Sequence, residues 1–485
     1  MKEVEITLVF KDNREFIEAL DAAGELVTIE QEVDWDLEAG AIVRKVCEEK
    51  GPSPLMNKIK DYPGHRYLGA PLANYRKLAL SMGMDPDSTI PQIAAEYLKR
   101  TNTPPVKPVV VSKEQAPCKE NIIIGEDADL FTLPGPMVHE GDGGRYLATW
   151  HFVVTKDPDN GDVNWGMYRQ MVYDRQTMTG PLLPFSDGGK VFHGKYKPRG
   201  EAMPFATVIG PDPLSAIAAS APSPIPETEF TGMLMQQPVE LVKCETVDLE
   251  VPAHAEIIIE GEILPDVSME EGPFGEYTGY RTSPRDMRTV YRVKAITYRN
   301  DPITTISNMG VPTDEGQLLR SFSLGLEMDK LLRSQGIPIT GVYMLPESTH
   351  HLVVVGVRAA YTNIATQIAQ TVFGSKLGPW FHMVLVVDDK TDIYNVNEVI
   401  HALSTRCHPV NGIHVYQGVG TPLYPFLSAA ERIKSVGPKV LFDCTFPLDW
   451  DPLSEVPSLV SFNNVYPEEI QKKVLANWEK YGFNS

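Results

Sequence analysis

The sequence predicts a fold of the class α/β plus β, in which an α/β segment, a β-rich segment and a second α/β segment follow one another. Helically spaced apolar residues alternate with short strands before residue 103 and again after Pro312. The stretch between them consists of short β-type runs separated by Gly, Pro and Asp turns. A stiff Pro-rich linker occupies 103–108. We therefore divide the chain into segments 1–108, 109–311 and 312–485.

The first segment has an α/β pattern. Phe16, Ile17 and Leu20 recur at helical spacing, and Gly24 follows them as a C-cap. The expected elements are a helix at 13–23, a strand at 26–29, and helices at 37–49 and 90–99.

The second segment is predicted to form an antiparallel sheet or barrel, because several short strands follow one another closely. The expected strands lie at 147–155, 165–173, 205–209, 240–246, 256–263 and 290–298.

The third segment returns to strands that alternate with helices, which is typical of an α/β layer with parallel pairing. The expected helices lie at 315–333, 360–373, 397–403 and 467–481, and the expected strands at 342–345, 352–356 and 383–387.

Composition and charge limit the classes of partner. The net charge is −20 and no run of Lys or Arg is present, which argues against a nucleic-acid-binding protein. Five scattered cysteines indicate reduced thiols, and the first residues show no signal peptide. No apolar run approaches the roughly 18 residues of a membrane span. We therefore expect a cytoplasmic protein without a membrane partner, in which an anionic substrate would need a locally placed cation.

The most distinctive stretch is the acidic turn at 270–280. Glu270, Glu271 and Glu276 stand within seven residues, and Pro273 with its neighbouring glycines constrains the backbone between the last two. Two carboxylates in one protected pocket are driven towards different pKa values, so that one can hold a proton while the other stays charged. This pattern indicates proton-transfer chemistry, and the alternative is an acidic surface turn.

Other polar residues are weaker candidates when taken one at a time. Arg169 would supply a planar cation for a carboxylate or phosphate if buried, and would otherwise be a surface residue at a strand end. Glu240 would need a metal or a cation if it faced inwards, and would otherwise be exposed to solvent on the other face of its strand. The loop at 139–144 could contact a phosphate or metal, although it lacks the strand–loop–helix setting of known fingerprints. The pair His350 and His351 is predicted to be structural.

Taken together, three motifs resemble those of the UbiD-like family of prenylated-FMN-dependent decarboxylases. They are the stretch from Asn164 to Arg169, the strand Glu240-Leu241-Val242-Lys243-Cys244, and the turn Glu271-Gly272-Pro273-Phe274-Gly275-Glu276. The order and separations fit, and the similarity extends through nearly the whole chain. The resemblance implies an N-terminal α/β segment, a central flavin-binding split β-barrel, and a C-terminal α/β domain with a dimerisation helix.

The resemblance also assigns roles to residues. Arg169, Glu271 and Glu276 match the catalytic set of the family, and Asn164 and Glu240 match two ligands of a divalent metal, Mn²⁺ or Mg²⁺. The third ligand is Asp187 or His193, with Asp187 favoured because a carboxylate suits a hard cation. Lys376 resembles a residue that contacts the cofactor phosphate. The implied cofactor-binding residues are Asn164, Trp165, Gly166, Met167, Tyr168, Arg169, Ser186, Asp187, Glu240 and Lys376.

The implied activity is reversible, non-oxidative decarboxylation of an aromatic, heteroaromatic or α,β-unsaturated acid. The carbanion left by CO₂ needs an electron sink, which prenylated FMN would provide, and Glu276 would give the proton. A flavin prenyltransferase would supply the cofactor, K⁺ is a further candidate ion, and the assembly would be a homodimer or hexamer. The alternatives are a non-catalytic flavin-binding subunit and an ordinary flavin oxidoreductase.

Overall fold

Four β-sheets with packed helices organise the part of the chain that the structure describes. The computed structural model describes residues 10–223, 225–451 and 453–483. The helices in chain order are α1 (Asn13–Ala22), α2 (Glu38–Glu49), α3 (Tyr75–Ser81), α4 (Ile90–Thr101), α5 (Asp187–Val191), α6 (Lys197–Arg199), α7 (Pro213–Ser220), α8 (Glu227–Met235), α9 (Glu315–Ser334), α10 (Ile364–Gly374), α11 (Val396–Arg406), α12 (Ala429–Lys434), α13 (Phe462–Val465) and α14 (Glu468–Ala476).

The strands are most numerous between residues 109 and 311. In chain order they are β1 (Leu26–Val33), β2 (Ser53–Ile59), β3 (Arg66–Gly69), β4 (Val109–Val110), β5 (Asn121–Ile124), β6 (Tyr146–Ala148), β7 (His151–Lys156), β8 (Val163–Gly166), β9 (Gln170–Asp174), β10 (Thr177–Gly180), β11 (Met203–Ile209), β12 (Glu240–Lys243), β13 (Glu250–Pro252), β14 (Ile257–Glu271), β15 (Asp286–Tyr298), β16 (Ile303–Ile306), β17 (Ile339–Met344), β18 (Leu352–Val357), β19 (Met383–Asp388), β20 (Ile413–Val419) and β21 (Val436–Asp443).

A four-stranded sheet in the order β1-β2-β3-β16 forms the N-terminal layer. Helix α1 begins where Asp12 accepts hydrogen bonds from the backbone N–H groups of Arg14 and Glu15, as an N-cap does. Its apolar face carries the buried side chains Phe16, Ile17 and Leu20. Strand β16 reaches this sheet from far along the chain and pairs in parallel with β3. The sequence pattern gave no sign of this long-range pairing.

The central sheet is curled so strongly that its ends approach each other. Its main path runs β6-β9-β10-β15-β14-β11-β7-β8, which places β8 and β9 six strand spacings apart. That separation would be about 29 Å in a flat sheet. The three residues between Gly166 and Gln170 can span at most about 15 Å. The sheet must therefore bend round, and within the described residues it stays open between β6 and β8, so that no closed barrel is formed.

Two of the predicted central strands are each divided in two. The run at 147–155 contains β6 and β7, and the run at 165–173 contains β8 and β9. In both cases the two strands lie near opposite ends of the curled sheet. An apolar, β-type run identifies extended chain, but it carries no signal that the chain leaves one part of a sheet for another. The interruption at Met167–Arg169 lifts Arg169 out of the hydrogen-bond ladder.

The C-terminal layer is a five-stranded sheet in the order β17-β18-β19-β21-β20. Helices α9 and α10 pack on one face of it, and α11 packs on the other. The parallel pairing predicted for this layer holds for β18, β19 and β21, whereas the edge strands β17 and β20 pair antiparallel. Strands β20 and β21 were missed, because they contain Gly and Pro and lack a continuous apolar run. The predicted helix at 467–481 ends at Ala476.

No helix in the described ranges has both the length and the hydrophobicity that a membrane-spanning segment requires.

Candidate active site

Arg169, Glu271 and Glu276 lie together in a buried ion-pair network. Arg169 Nε donates to Glu271 Oε1 at 2.8 Å, and its Nη2 donates to Glu271 Oε2 at 3.2 Å. Its Nη1 donates to Glu276 Oε1 at 2.6 Å. The side chains of Glu271 and Glu276 are only 1% and 6% exposed. The acidic turn is therefore an interior feature, and the alternative of an acidic surface turn does not hold for these two carboxylates.

Each member of this network is placed by a different local device. Arg169 ends the short crossing between β8 and β9, and Glu271 is the last residue of β14, opposite Asp286 of β15. Glu276 lies in the following turn, where its backbone N–H donates to Tyr280 O at 3.2 Å. The guanidinium carbon of Arg169 also lies 5.1 Å from the centre of the Phe274 ring. One carboxylate is thus positioned by a sheet and the other by the turn that follows that sheet strand.

The loop at 139–144 supports the turn that carries Glu276. Gly143 N donates to Pro273 O at 2.7 Å, and a Cβ at Gly143 would lie 2.1 Å from Gly272 O, so only glycine fits there. Asp142 accepts from Gly275 N at 3.1 Å and lies 2.8 Å from His139 Nδ1. These residues contact the backbone on both sides of Phe274. Within the described chain, this loop, considered above as a phosphate or metal contact, is a structural support.

Burial and charge act in opposite directions on the pKa values of Glu276 and Arg169. Burial raises the pKa of Glu276 above its ordinary value, although the nearby Arg169 works against that shift. Burial works against the charge of Arg169, but Glu276 and Glu271 outweigh it and raise the pKa of the guanidinium. Tyr146 donates its hydroxyl to Glu271 Oε1 at 2.7 Å. The arrangement keeps Arg169 charged between two different carboxyl groups. Glu271 accepts three hydrogen bonds, and the raised pKa of Glu276 favours its protonated form.

The residues from Asn164 to Tyr168 form a partly buried wall next to Arg169. The Trp165 ring is stacked on Phe152 in the core with centroids 4.4 Å apart, so it contributes its backbone more than its ring to this wall. The Tyr168 hydroxyl accepts from Gly188 N at 3.1 Å, which joins the wall to the start of α5. Ser186 caps α5 by accepting from Gly189 N at 3.2 Å. Gly166 and Met167 complete this wall.

Glu227 is a candidate residue that the sequence analysis missed. It is the first residue of α8, and its Oε2 accepts from Trp165 N at 3.0 Å. Burial, with a further contribution from the charge of Asp187, raises the pKa of Glu227 to about 7. Within the described residues its carboxylate has no ion-pair partner. The hydrogen bond to Trp165 N brings Glu227 next to the residue that follows Asn164, whose Nδ2 is buried without a hydrogen-bond partner.

Glu240 has a different environment from the one predicted for it. Its carboxylate lies 2.6 Å from His254 Nε2 and 3.6 Å from Lys11 Nζ. It stands on β12 in the small sheet β13-β12-β4. The carboxylate of Glu240 therefore already has two partners, the His254 ring and the Lys11 ammonium group. The carboxylate of Glu227 has no ion-pair partner in the described residues. The sequence signal that could have identified Glu227 is a Glu that opens a helix after Pro226.

The remaining predicted ligands differ in how they are held. Asp187 is exposed and paired with Lys190, with a separation of 2.7 Å between Oδ1 and Nζ. His193 donates from Nε2 to Leu182 O at 2.7 Å, so this nitrogen is already used. Lys376 is exposed in the turn after α10. In the described parts of the chain, no group of three His, Cys, Asp or Glu residues is arranged to hold a metal ion.

Comparisons with known proteins place the chain in a family. Three domain models of 3-octaprenyl-4-hydroxybenzoate carboxy-lyase match it in succession: the N-terminal domain at residues 17–97, the Rift-related domain at 109–312 and the C-terminal domain at 317–444. Pyrrole-2-carboxylic acid decarboxylase from Pseudomonas aeruginosa is 32% identical, over 97% of this chain and 98% of that protein. The chain belongs to the UbiD family. The membership predicted from three motifs is confirmed, and so is the prediction of a carboxy-lyase.

Other UbiD proteins are similar over the same length. Ferulic acid decarboxylase 1 from Saccharomyces cerevisiae is 32% identical over 100% of both chains. The open form of vanillic acid decarboxylase from Sedimentibacter hydroxybenzoicus superposes with a TM-score of 0.85, at 29% identity over 98% of this chain and 99% of that one. HmfF from Pelotomaculum thermopropionicum, solved with FMN, gives a TM-score of 0.83 at 28% identity over 96% of this chain and 100% of that one. The mixed α/β fold of this chain is thus the fold of UbiD-class enzymes.

Proposed function

We propose that this protein is a prenylated-FMN-dependent decarboxylase of aromatic or heteroaromatic carboxylic acids. Its main support is the buried network in which Arg169 joins Glu271 at 2.8 Å and Glu276 at 2.6 Å. The relatives named above act on pyrrole-2-carboxylic, ferulic and vanillic acids, and an evolved dimeric form of HmfF has been solved with prenylated FMN. Prenylated FMN, when bound, supplies the electron sink that loss of CO₂ requires.

The protein residues divide the remaining tasks. Glu271 accepts from Arg169 and Tyr146, so it is stabilised as a carboxylate and fixes the guanidinium. Glu276 accepts a hydrogen bond from one N–H group of Arg169, and the raised pKa of Glu276 favours the protonated form of its carboxyl group. When CO₂ has left, protonated Glu276 gives its proton to the substrate carbon that had carried the carboxylate. Solvent then reprotonates Glu276. The same residues would serve carboxylation in the reverse direction at high CO₂.

The residues between β8 and α8 fit a cofactor with a phosphate and its cation. Asn164 offers an amide, Glu227 offers a buried carboxylate that has no ion-pair partner in the described structure, and Asp187 offers an exposed carboxylate paired with Lys190. Hard oxygen ligands suit Mn²⁺ or Mg²⁺. We therefore propose Glu227 in place of Glu240 as the second carboxylate ligand, and Asp187 in preference to His193, whose Nε2 is occupied. Lys376 remains the proposed phosphate contact, and Ser186 and Tyr168 remain proposed cofactor-binding residues. K⁺ stays a prediction.

Replacement of Glu227 with Gln is expected to remove most of the bound divalent metal and to weaken cofactor retention by about 10- to 100-fold, the usual effect of losing a residue of a metal site. The measurements are metal content by mass spectrometry and flavin absorbance of the purified protein. Glu240→Gln is the matched control, since that carboxylate pairs with His254 and Lys11. Metal loss in Glu240→Gln with full retention in Glu227→Gln would restore the original assignment.

The activity itself is tested by producing the chain with and without a flavin prenyltransferase. We expect CO₂ release from at least one aromatic acid only when the two are produced together, and exchange of the product's ring proton with deuterated solvent under the same conditions. Flavin uptake without turnover of any acid would instead indicate a non-catalytic flavin-binding subunit. Turnover that depends on a nicotinamide would indicate an oxidoreductase.

The proposed assembly is a homodimer, or a hexamer built from dimers, formed through the C-terminal segment. Strand β20 is an open edge of its sheet and exposes Ile413, Val415 and Val419. Leu453 and Val460 beyond β21 are 96% and 81% exposed. Exposed apolar side chains next to an open strand edge are typical of an interface. The same proposal includes the division into segments 1–108, 109–311 and 312–485. It also includes a central split barrel that binds the flavin and a role for α14 as an arm in dimerisation.

A cytoplasmic location is also part of this proposal. All five cysteines are free thiols in the structure, as is typical of a reducing compartment.

A further inference from the structure

Arg288 carries a buried N–H group that has no hydrogen-bond partner in the described chain. The residue lies on β15, opposite Met269 of β14, and Asp286 two residues before it faces Glu271 across the same pair of strands. Arg288 Nη1 pairs with Asp286 at 2.8 Å, whereas the unpartnered group is Nε. A buried donor without an acceptor is destabilising. The ion pair with the half-exposed Asp286 therefore does not account for the inner side of this guanidinium.

The unpartnered N–H group lies next to the catalytic carboxylate of Glu271. Arg288 Nε is 3.9 Å from Glu271 Oε2, about 1 Å too far for a normal hydrogen bond. Glu271 Oε1 accepts from Arg169 Nε at 2.8 Å and from the Tyr146 hydroxyl at 2.7 Å. In the described chain, Oε2 accepts only from Arg169 Nη2, at 3.2 Å. The longest of the three hydrogen bonds that Arg169 donates thus ends on the oxygen nearest to Arg288 Nε.

The charges of this site do not balance once an acid is bound. The raised pKa of Glu276 favours its neutral form, so Arg169 and Glu271 together are neutral. A carboxylic acid enters as an anion at neutral pH, because the pKa of an ordinary carboxyl group is about 4. Arg169 has further N–H groups to offer, but it carries one positive charge for two carboxylates. Among the described residues, Arg288 is the one further cation in close charge contact with either glutamate, at 3.9 Å.

We propose that Arg288 is a positioning residue, which takes over Glu271 when Arg169 binds the carboxylate of the incoming substrate. Arg169 Nη2 turns from Glu271 Oε2 to the substrate, and Arg288 Nε moves by about 1 Å to donate to the oxygen that is released. Glu271 then stays ionised and fixed, and the bound acid is not left as an uncompensated buried charge. This inference rests on the proposed decarboxylase function, because that function supplies the anionic substrate.

The first test needs no substrate and is a double-mutant cycle of Arg169→Leu and Arg288→Gln on the full chain. With Arg169 present, Arg288→Gln should lower the urea midpoint only slightly, because Arg288 makes no hydrogen bond to Glu271. In the Arg169→Leu background we expect the shift of the midpoint to be at least about twice as large, because Arg288 is then the remaining cation beside Glu271. Equal shifts in the two backgrounds would overturn the transfer of Glu271 from one arginine to the other.

The second test uses the holoenzyme and compares acids with their uncharged amides: benzoate with benzamide, and pyrrole-2-carboxylate with pyrrole-2-carboxamide. Dissociation constants from calorimetry separate the charge of the ligand from the shape of its ring. We expect Arg288→Gln to weaken binding of the acid by about 10-fold, the effect of losing one charge-assisted hydrogen bond, and binding of the amide by less than about twofold. For an acid that turns over, KM should rise by about the same factor as the dissociation constant, and kcat should change less.

Two further variants make the result specific. Arg292→Gln removes an exposed arginine four residues further along β15 and should leave binding of acid and amide unaffected. Arg288→Lys keeps the charge without the planar fork and should lose less acid affinity than Arg288→Gln. Equal losses for acid and amide, or no loss for either, would overturn the inference even if the protein decarboxylates an acid. A loss confined to the acid, in a protein that turns over no acid, would uphold the role of Arg288 and would reject the decarboxylase function.

Discussion

Replacing Glu276 with Gln is expected to lower kcat by about 10²- to 10⁴-fold while flavin content and substrate binding stay close to those of the wild type. Gln has nearly the same shape and can still accept the hydrogen bond that Arg169 Nη1 donates at 2.6 Å, so the turn should keep its position. It cannot hold a transferable proton. The measurements are CO₂ release and deuterium exchange of the product's ring proton, and both should fall together.

The control for this variant is Glu270→Gln, which removes a carboxylate six residues away in the same acidic stretch. Glu270 is 57% exposed and lies 3.4 Å from Arg285, so its loss should change kcat by less than about twofold. Burial raises the pKa of Glu276, so the wild-type rate should fall as pH rises through that raised pKa, and any residual activity of Glu276→Gln should lack this decline. Unchanged turnover in Glu276→Gln would remove Glu276 from the mechanism.

The trio of Arg169, Glu271 and Glu276 could be predicted from the sequence through a family resemblance, whereas the residue types alone left a surface turn and a surface arginine as alternatives. Two glutamates flank a Gly-Pro-Phe-Gly turn, and one arginine ends an apolar run that also contains Asn164. Carboxylates and guanidinium groups are costly to bury unless they are paired. Burial of all three residues would therefore indicate that they meet. Here that indication agrees with the buried network of Arg169, Glu271 and Glu276.

The crossing that positions Arg169 was not predictable in the same way. Val163–Gly166 and Gln170–Asp174 form one continuous β-type run in the sequence, but they belong to distant positions of a curled sheet. Which strands become neighbours depends on long-range pairing, which a local pattern does not contain. The parallel pairing of Ile303–Ile306 with Arg66–Gly69 escaped prediction for the same reason.

The choice between Glu240 and Glu227 depends on contacts that the sequence does not contain. The family resemblance assigns Glu240 as a metal ligand, whereas in the structure its carboxylate already pairs with His254 and Lys11. Glu227 opens a helix, where an acidic residue is ordinarily explained by the helix dipole. The structure shows that Glu227 also accepts a hydrogen bond from the backbone of Trp165. This contact, which the helix dipole does not explain, makes Glu227 a candidate binding residue.

Replacing Arg169 with Leu is expected to lower the stability of the protein by about 3–5 kcal/mol at neutral pH, because two carboxylates would stay buried without their cation. Glu271 would keep Tyr146 at 2.7 Å and a distant Arg288 at 3.9 Å, whereas Glu276 would lose its only cation partner in the described chain. The measurement is the midpoint of urea unfolding. Arg175→Leu, which removes an arginine that is 70% exposed beside Asp129, is the control and should have little effect.

The destabilisation should also depend on pH, and its sign follows from the carboxyl groups. Burial already raises the pKa of Glu276 above its ordinary 4.5, and removal of the Arg169 charge raises it further. A carboxyl whose pKa is higher in the folded state binds more protons there than in the unfolded chain, so stability falls as pH rises from the ordinary pKa to the raised one. Arg169→Leu should therefore differ least from the wild type near pH 5 and most above pH 7. An equal deficit at both pH values would mean that water or another cation has replaced Arg169, and that the two carboxylates do not depend on it for their burial.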